Sequence, residues 1–339
     1  MKETNSLRAD AVFEGGGVKG IGLVGAIAVA EEMGYQWVNV AGTSAGAIVA
    51  ALLAAGYTAA EMKEIMDKLD YNDFTDTGLL DRVPIVGKIA SLIFEKGIYE
   101  GKWFTNWMRG LLQKKKVKTF GDLIMDEFKD DDRYRFKLRV IASDISRGRM
   151  LVLPQDIKDF GMEPEDFDVA DAIRMSMSIP FFYEPIKRRN KKTNQVSYIV
   201  DGGPLSNFPV WLFDTEGSIP QWPTFGFKLV EPGEGIPHKI QGPISLLVAL
   251  FSTMSEAHDA RYIKDADFVR TIPIPTLEVK TTEFDLSREK SEALYQSGRK
   301  AAEKFFATWN FAEYVDKYRR GKPIPDRSLR LRSGSQPSK

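Results

Sequence analysis

Between Met33 and Ala60 the chain carries no charged residue. A stretch of that length could span a membrane, but its texture is wrong for one. "WVNVA" reads as a strand, Gly42-Thr43-Ser44-Ala45-Gly46 as a tight turn, and the Ala/Leu run ending at Gly56 as a helix. The preceding segment repeats that order. "ADAVFEGG" is a short apolar strand running into glycines, and "GIGLVGAIAVAEEMG" a helix closed by Gly34, a residue suited to a left-handed cap. Strand, helix, strand, helix within about fifty residues predicts a parallel sheet covered by helices.

Further along, "TAAEMKEIMDKLD" reads as a helix with Thr58 and Glu61 at capping-box spacing. From Tyr71 to Lys118 the pattern is amphipathic in places and predicts a helical excursion packed on the sheet, with a lid or membrane-facing surface as the other reading. "YRFKLRVIASDI" is a strand, and "DVADAIRMSMSI" a helix stopped before Pro180. "KRRNKKTN" is a basic loop between two strand-like runs, the second being "VSYIVDGG". "TFGFKLV" is another strand; "GPISLLVALFSTMSEAHDARYIKDA" and "SREKSEALYQSGRKAAEKFFATW" read as long helices. Neither repeat nor linker breaks the series, so one domain is expected. From Lys317 the chain is basic and polar and is expected to be disordered.

Composition narrows the function classes. With 43% apolar and 28% charged residues, the 339-residue chain has the make-up of a soluble globular protein with a sizeable core. Lys+Arg and Asp+Glu both count 47, which argues against a nucleic-acid partner. Cysteine is absent, and the two histidines, His238 and His258, are too few for a histidine-rich metal site. No metal or cofactor is expected. The N-terminus lacks the apolar run of a secretory signal, so a cytoplasmic address is the default expectation.

Two glycine-rich turns then supply candidate chemistry. Gly42, Thr43, Ser44, Ala45 and Gly46 form G-x-S-x-G where a strand meets a helix, the arrangement that lifts a serine hydroxyl above a sheet. A packing serine in a tight turn is the plainer alternative. Gly15, Gly16, Gly17, Val18, Lys19 and Gly20 form the second turn. Its glycines can aim N–H groups at an anion, either a dinucleotide pyrophosphate or the oxyanion of an acyl-transfer intermediate. The second strand ends in Ala41-Gly42 instead of an acidic ribose ligand, which favours the oxyanion. A serine nucleophile needs a base, and neither histidine is well placed. Asp201 ends an apolar strand and precedes Gly202 and Gly203, so its carboxylate should emerge at the sheet edge. An Asx-type turn is the competing reading. Burial would raise a carboxylate from its feeble ordinary basicity, making a Ser–Asp dyad feasible.

Together "FEGGGVKG", "GTSAG", "AIRMSMSIPFFYEPI" and "VDGGPLSNFPV" resemble the patatin-like phospholipase family, in that family's order, over residues 9–309. "KTFGDL", "VIASDISRG" and "EFDLSREKSEALYQSGRKAAEKF" are similar to bacterial members. The resemblance implies a three-layer α/β/α sandwich with a mostly parallel central sheet, spanning residues 8–316, ahead of a basic tail over 317–339. It also implies metal-independent hydrolysis of phospholipid or lysophospholipid esters. Carried over by motif, Ser44 is the nucleophile, Asp201 the base, and the Gly15–Gly17 amides the anion site, with Lys19 in the place of the basic residue usual there. Glu14 replaces the commoner Asp before the glycines. An acyltransferase would use the same residues, and a nucleotide-binding protein would use the glycine loop alone. Contact with lipid has two readings. Trp103, Phe104 and Trp107 beside Lys114–Lys116, with the "KRRNKK" loop, could seat the protein peripherally on an anionic membrane; or the aromatics are core and the lysines a solvated face.

Overall fold

Strand β1 (Leu7–Phe13) exposes two residues and buries five, and β2 (Tyr35–Thr43) buries its last six. Each feeds a helix: α1 (Gly20–Glu32) after β1 and α2 (Ala45–Ala54) after β2. All ten residues of α2 are buried, as an all-round apolar helix requires. The charge-free stretch is therefore strand, turn and core helix; among the described residues no helix is long and apolar enough to cross a membrane. Gly34 and Gly56 close the two helices at φ 88° and 90°. Helix α3 (Ala59–Asp67) opens with the expected box: Glu61 N–H donates to Thr58 Oγ1 at 3.2 Å and Thr58 N–H to Glu61 Oε2 at 2.8 Å. The computed structural model describes residues 7–69, 101–180, 182–214, 219–232, 240, 249–250, 253–254, 265–279, 281, 283 and 286–321.

The remaining elements are α4 (Lys102–Lys114), β3 (Leu138–Asp144), β4 (Arg149–Leu153), α5 (Val169–Ser176), β5 (Ile186–Arg189), β6 (Val196–Asp201), β7 (Thr224–Val230), α6 (Asp265–Val269), β8 (Thr271–Pro275), α7 (Arg288–Phe306) and α8 (Phe311–Tyr318). The sheet runs β5-β6-β3-β2-β1-β7-β8, with β4 also paired to β3. Strands β3, β2, β1, β7 and β8 are mutually parallel, and the antiparallel pairs gather at the β3 side. The fold is a three-layer α/β/α sandwich. Alternation decides which residue faces which layer. Ala11, Phe13, Val40, Phe225 and Phe227 join the larger core with α1, α2 and α7, whereas Val12, Ala41 and Ile141 meet Trp211, Leu212 and Phe213 on the other face.

Several expectations are sharpened or change. Phe104 is fully buried, and Trp103 and Trp107 are half-buried and pack against the same core from α4, as the core reading of these aromatics expects. Lys115 pairs with Glu61 at 2.8 Å. The rest of the excursion, residues 71–100, lies outside the described residues, as do His238, His258 and most of the long helix expected over residues 242–266. The basic segment at 187–194 is partly strand: Arg188 and Arg189 pair with Ser197 and Val196 across a hairpin. The tail expected from Lys317 begins inside the folded chain. Helix α8 runs to Tyr318, and Arg319 is buried against Asp214 at 3.2 Å. Residues 322–339 lie outside the described residues.

Candidate active site

The parallel strands end on one edge of the sheet, and the candidate residues collect there. Ser44 joins β2 to α2 at φ 53° and ψ −126°, a strained setting for a residue with a side chain. Its surroundings enforce the turn. Ser44 N–H donates to Ser176 Oγ at 2.9 Å, and that hydroxyl donates in turn to Ile141 O at 2.6 Å. A methyl group on Gly42 would lie 2.6 Å from Ala47 N, and one on Gly46 2.6 Å from Glu14 O. Only glycine fits at either position. Thr43 Oγ1 donates to Ser206 O at 3.0 Å, tying the turn to the segment after β6.

Asp201 arrives from β6. Its N–H donates to Ser178 O at 2.8 Å, and its Oδ1 accepts from Gly203 N–H at 2.8 Å. Gly202 between them is pressed on Ile141 O, which a methyl group would approach to 2.7 Å. Oδ2 is buried and has no hydrogen-bond partner among the described residues. Burial pushes the carboxyl up to about 7, while the Gly203 amide and the Ser44 hydroxyl pull it back. Ser44 Oγ is thus close enough to be felt by the carboxylate, yet its own hydrogen bond runs to Met177 Sδ at 3.6 Å. Of the two oxygens of that carboxyl, Oδ2 is the open acceptor.

The segment ending α5 holds both partners: Ser176 takes the Ser44 amide, Ser178 takes the Asp201 amide, and Met177 between them touches the hydroxyl. Sequence reasoning assigned these three no role. Their signal was two serines alternating with methionine just before Pro180, at the end of an otherwise well-buried helix.

The glycine loop divides into used and open amides. Gly15 N–H donates to Asn207 O and Val18 N–H to Thr281 O, both at 3.3 Å. Lys19 N–H goes to Gly16 O and Gly20 N–H to Gly17 O. No hydrogen bond among the described residues occupies the amides of Gly16 and Gly17. The loop lies against the serine, since a methyl group on Gly15 would reach 3.0 Å from Ser44 Cβ. The ammonium of Lys19 is already engaged. Its buried side chain pairs with Glu231 at 2.5 Å, just past β7. Glu14 is likewise held, by Lys228 Nζ at 3.1 Å and Leu229 N–H at 2.6 Å; burial raises its pKa and Lys228 opposes the rise.

From this point an apolar cleft extends between Gly17, Ala45 and Met177 at one end and Leu52, Ile65 and Leu69 at the other. Ala45, Ile48 and Leu52 line it from one face of α2, and Trp107 reaches in from α4. Its almost wholly apolar lining suits a flexible apolar ligand. Among the described residues no group of three His, Asp or Glu side chains could hold a metal ion.

Comparison with known proteins gives the following likenesses. The pattern of the patatin-like phospholipase family matches residues 11–214. The uncharacterized protein YqhO of Bacillus subtilis (strain 168) is 40% identical over 303 residues, covering 89% of this chain and 99% of that one. The uncharacterized protein R571 of Acanthamoeba polyphaga mimivirus is 21% identical over 305 residues, covering 85% and 90% respectively. Among solved structures, VipD from Legionella pneumophila superposes with a TM-score of 0.53 at 19% identity, over 88% of this chain and 67% of that one, a likeness of fold.

Proposed function

The chain belongs to the patatin-like phospholipase family, a family of lipid acyl hydrolases, and from that premise we propose that it hydrolyses phospholipid or lysophospholipid esters with Ser44 as nucleophile and Asp201 as base. Asp201 takes the hydroxyl proton as Ser44 Oγ attacks the ester carbonyl. The amides of Gly16 and Gly17 donate to the oxyanion of the tetrahedral intermediate, and the N-terminal end of α2 adds its partial positive charge. Collapse expels the lysolipid or glycerol-phosphoryl alcohol, which takes the proton from Asp201, and leaves an acyl-enzyme. Water, deprotonated by the same carboxylate, then releases the fatty acid and restores Ser44. The acyl chain lies in the apolar cleft throughout.

One observation carries this reading: a buried carboxylate, one oxygen of which has no partner among the described residues, stands beside a hydroxyl on a strained turn, next to an apolar cleft. A carboxylate raised to about 7 is a far better base toward a hydroxyl than an ordinary one. The test is a panel of phospholipids and lysophospholipids incubated with the wild-type protein and with Ser44→Ala. Free fatty acid released by the wild type alone is the expected result. A new acylated product when lysophospholipid is in excess, without fatty acid, would make the protein a transferase instead. Equal release by the Ser44→Ala protein would end the proposal.

A further inference from the structure

Two hairpin tips stand beyond the active-site edge of the sheet. β6 runs antiparallel to β3 and pairs Asp201 with Ala142 and Ile199 with Asp144, so its first residue, Val196, lies past the end of β3. Five residues of strand place the β5–β6 tip, residues 190–195, roughly 17 Å above Asp201. That is the side on which Ser44 emerges from β2. The β3–β4 turn, residues 145–148, rises next to it. Ile145 N–H donates to Tyr198 O at 3.1 Å, and Tyr198 N–H to Ser146 Oγ at 2.8 Å.

The charge of this rim departs from that of the chain. Residues 186–200 hold five cations and no acid, in a protein whose cations and anions balance. Arg188 is tied to Asp171 at 3.3 Å. Arg189 donates to neutral Asn194 at 2.9 Å, and Lys187 lies over the Tyr198 ring at 5.9 Å. Among the described residues no carboxylate pairs with Lys187, Arg189, Lys191 or Lys192, and all four are exposed. Two apolar side chains stand out at the same rim, Ile145 at 55% exposure and Val196 at 37%. Exposed apolar groups ringed by cations without counter-charges complement an anionic surface whose interior accepts hydrocarbon.

We propose that these paired hairpin tips dock the protein on an anionic lipid surface, with Ile145 and Val196 entering the interface and Lys187, Arg189, Lys191 and Lys192 meeting the headgroups. The choice of a lipid surface rests on the lipid-ester reading above. Docked this way, the rim holds the sheet edge that carries Ser44 toward the bilayer.

The experiment is co-sedimentation of the full chain with vesicles of phosphatidylcholine alone or mixed with phosphatidylglycerol, at low and high salt. Binding should require the anionic lipid and weaken as salt screens it. Lys191→Gln with Lys192→Gln should lower partitioning about tenfold to thirtyfold, at about one lysine's surface attraction each. Ile145→Ser should lower it a few-fold at every salt concentration. Both variants should turn over a soluble short-chain ester at the wild-type rate, because none of the three residues lines the cleft. Equal binding to neutral and anionic vesicles overturns the proposal, as does wild-type binding by the double variant. Retention on an immobilised acidic peptide without vesicle binding assigns the rim to a protein partner and overturns it too. Vesicle binding is read without turnover, so a wild type that cleaves no ester sinks the catalytic reading alone.

Discussion

The central sheet buries two carboxyls that desolvation raises to about 7, Asp201 at the C-terminal edge and Asp10 lower down, in the middle of β1 beside the start of β7. Their neighbourhoods differ. Asp10 accepts from Asn39 N–H at 3.0 Å and from the Trp222 side chain, and it feels Arg139 and Arg270. Arg270, itself 1% exposed, clasps Asp214 with two bonds of 2.7 and 2.8 Å and Asp267 with one of 2.6 Å. Arg319 from the end of α8 joins Asp214 as well. That end of the sheet is a polar knot of paired charges around a small, mainly polar pocket. At the other end one oxygen of Asp201 has no partner among the described residues, the Ser44 hydroxyl that its carboxyl feels sits on a strained turn, and an apolar cleft opens alongside. A displaced pKa records burial at both ends. On the proposed mechanism, what sets the base apart from the structural carboxyl is its open acceptor and the apolar cleft beside it.

The sharpest break of this comparison is to neutralise each carboxyl in turn. Asp201→Asn should cut kcat/KM for a lipid ester by at least about a thousandfold while the protein stays folded, since the amide cannot take a proton. Asp10→Asn, the same substitution in the same kind of burial, should leave kcat/KM within about twofold. Steady-state kinetics with circular dichroism on both proteins read the contrast. Near-native activity in Asp201→Asn would remove the base from the proposal.

The reverse effect is expected from the other end. Arg270→Met leaves Asp214 and Asp267 buried without their principal cation and should cost about 3–5 kcal/mol of stability. Activity per folded molecule should hold, because the knot lies across the sheet from Ser44. Urea unfolding monitored beside ester hydrolysis tests both halves. A stability loss under about 1 kcal/mol would mean that the knot is far better solvated than its burial indicates.

This contrast also explains what could be read from the residues in advance. Ser44, Asp201 and the glycine loop announce themselves because each sits at a strand end marked by glycines, and local backbone demands leave local signatures. The capping box at Thr58 is legible for the same reason. The division of the loop into open and occupied amides is not, because it is made by Asn207 and Thr281, which reach it only through the fold. Lys19 reads as an anion ligand from its place in the motif; its partner, Glu231, lies 212 residues away. Trp103 and Phe104 beside a lysine run leave core and surface equally open until α4 shows which side packs inward. Arg270, Asp214 and Arg319 look like surface charges in sequence, and only chain closure by α8 buries them together.

The smallest expected effect is the most discriminating, because the two carboxyls titrate in one window with different consequences. The proposed base works only when ionised, so kcat/KM should climb with pH to a plateau above about 8 and lie about tenfold lower at about pH 6. Stability should move the other way. A carboxyl whose folded pKa is raised holds its proton more tightly in the native state, so its stabilising contribution is complete below about pH 4 and is lost as pH climbs through about 7. Asp10→Asn should flatten part of that stability slope and leave the midpoint of the kcat/KM profile in place. Asp201→Asn should flatten another part and abolish the profile. If Asp10→Asn moved the kinetic midpoint by a full pH unit, the two ends of the sheet would be coupled, and the separation between structural knot and working site would fail.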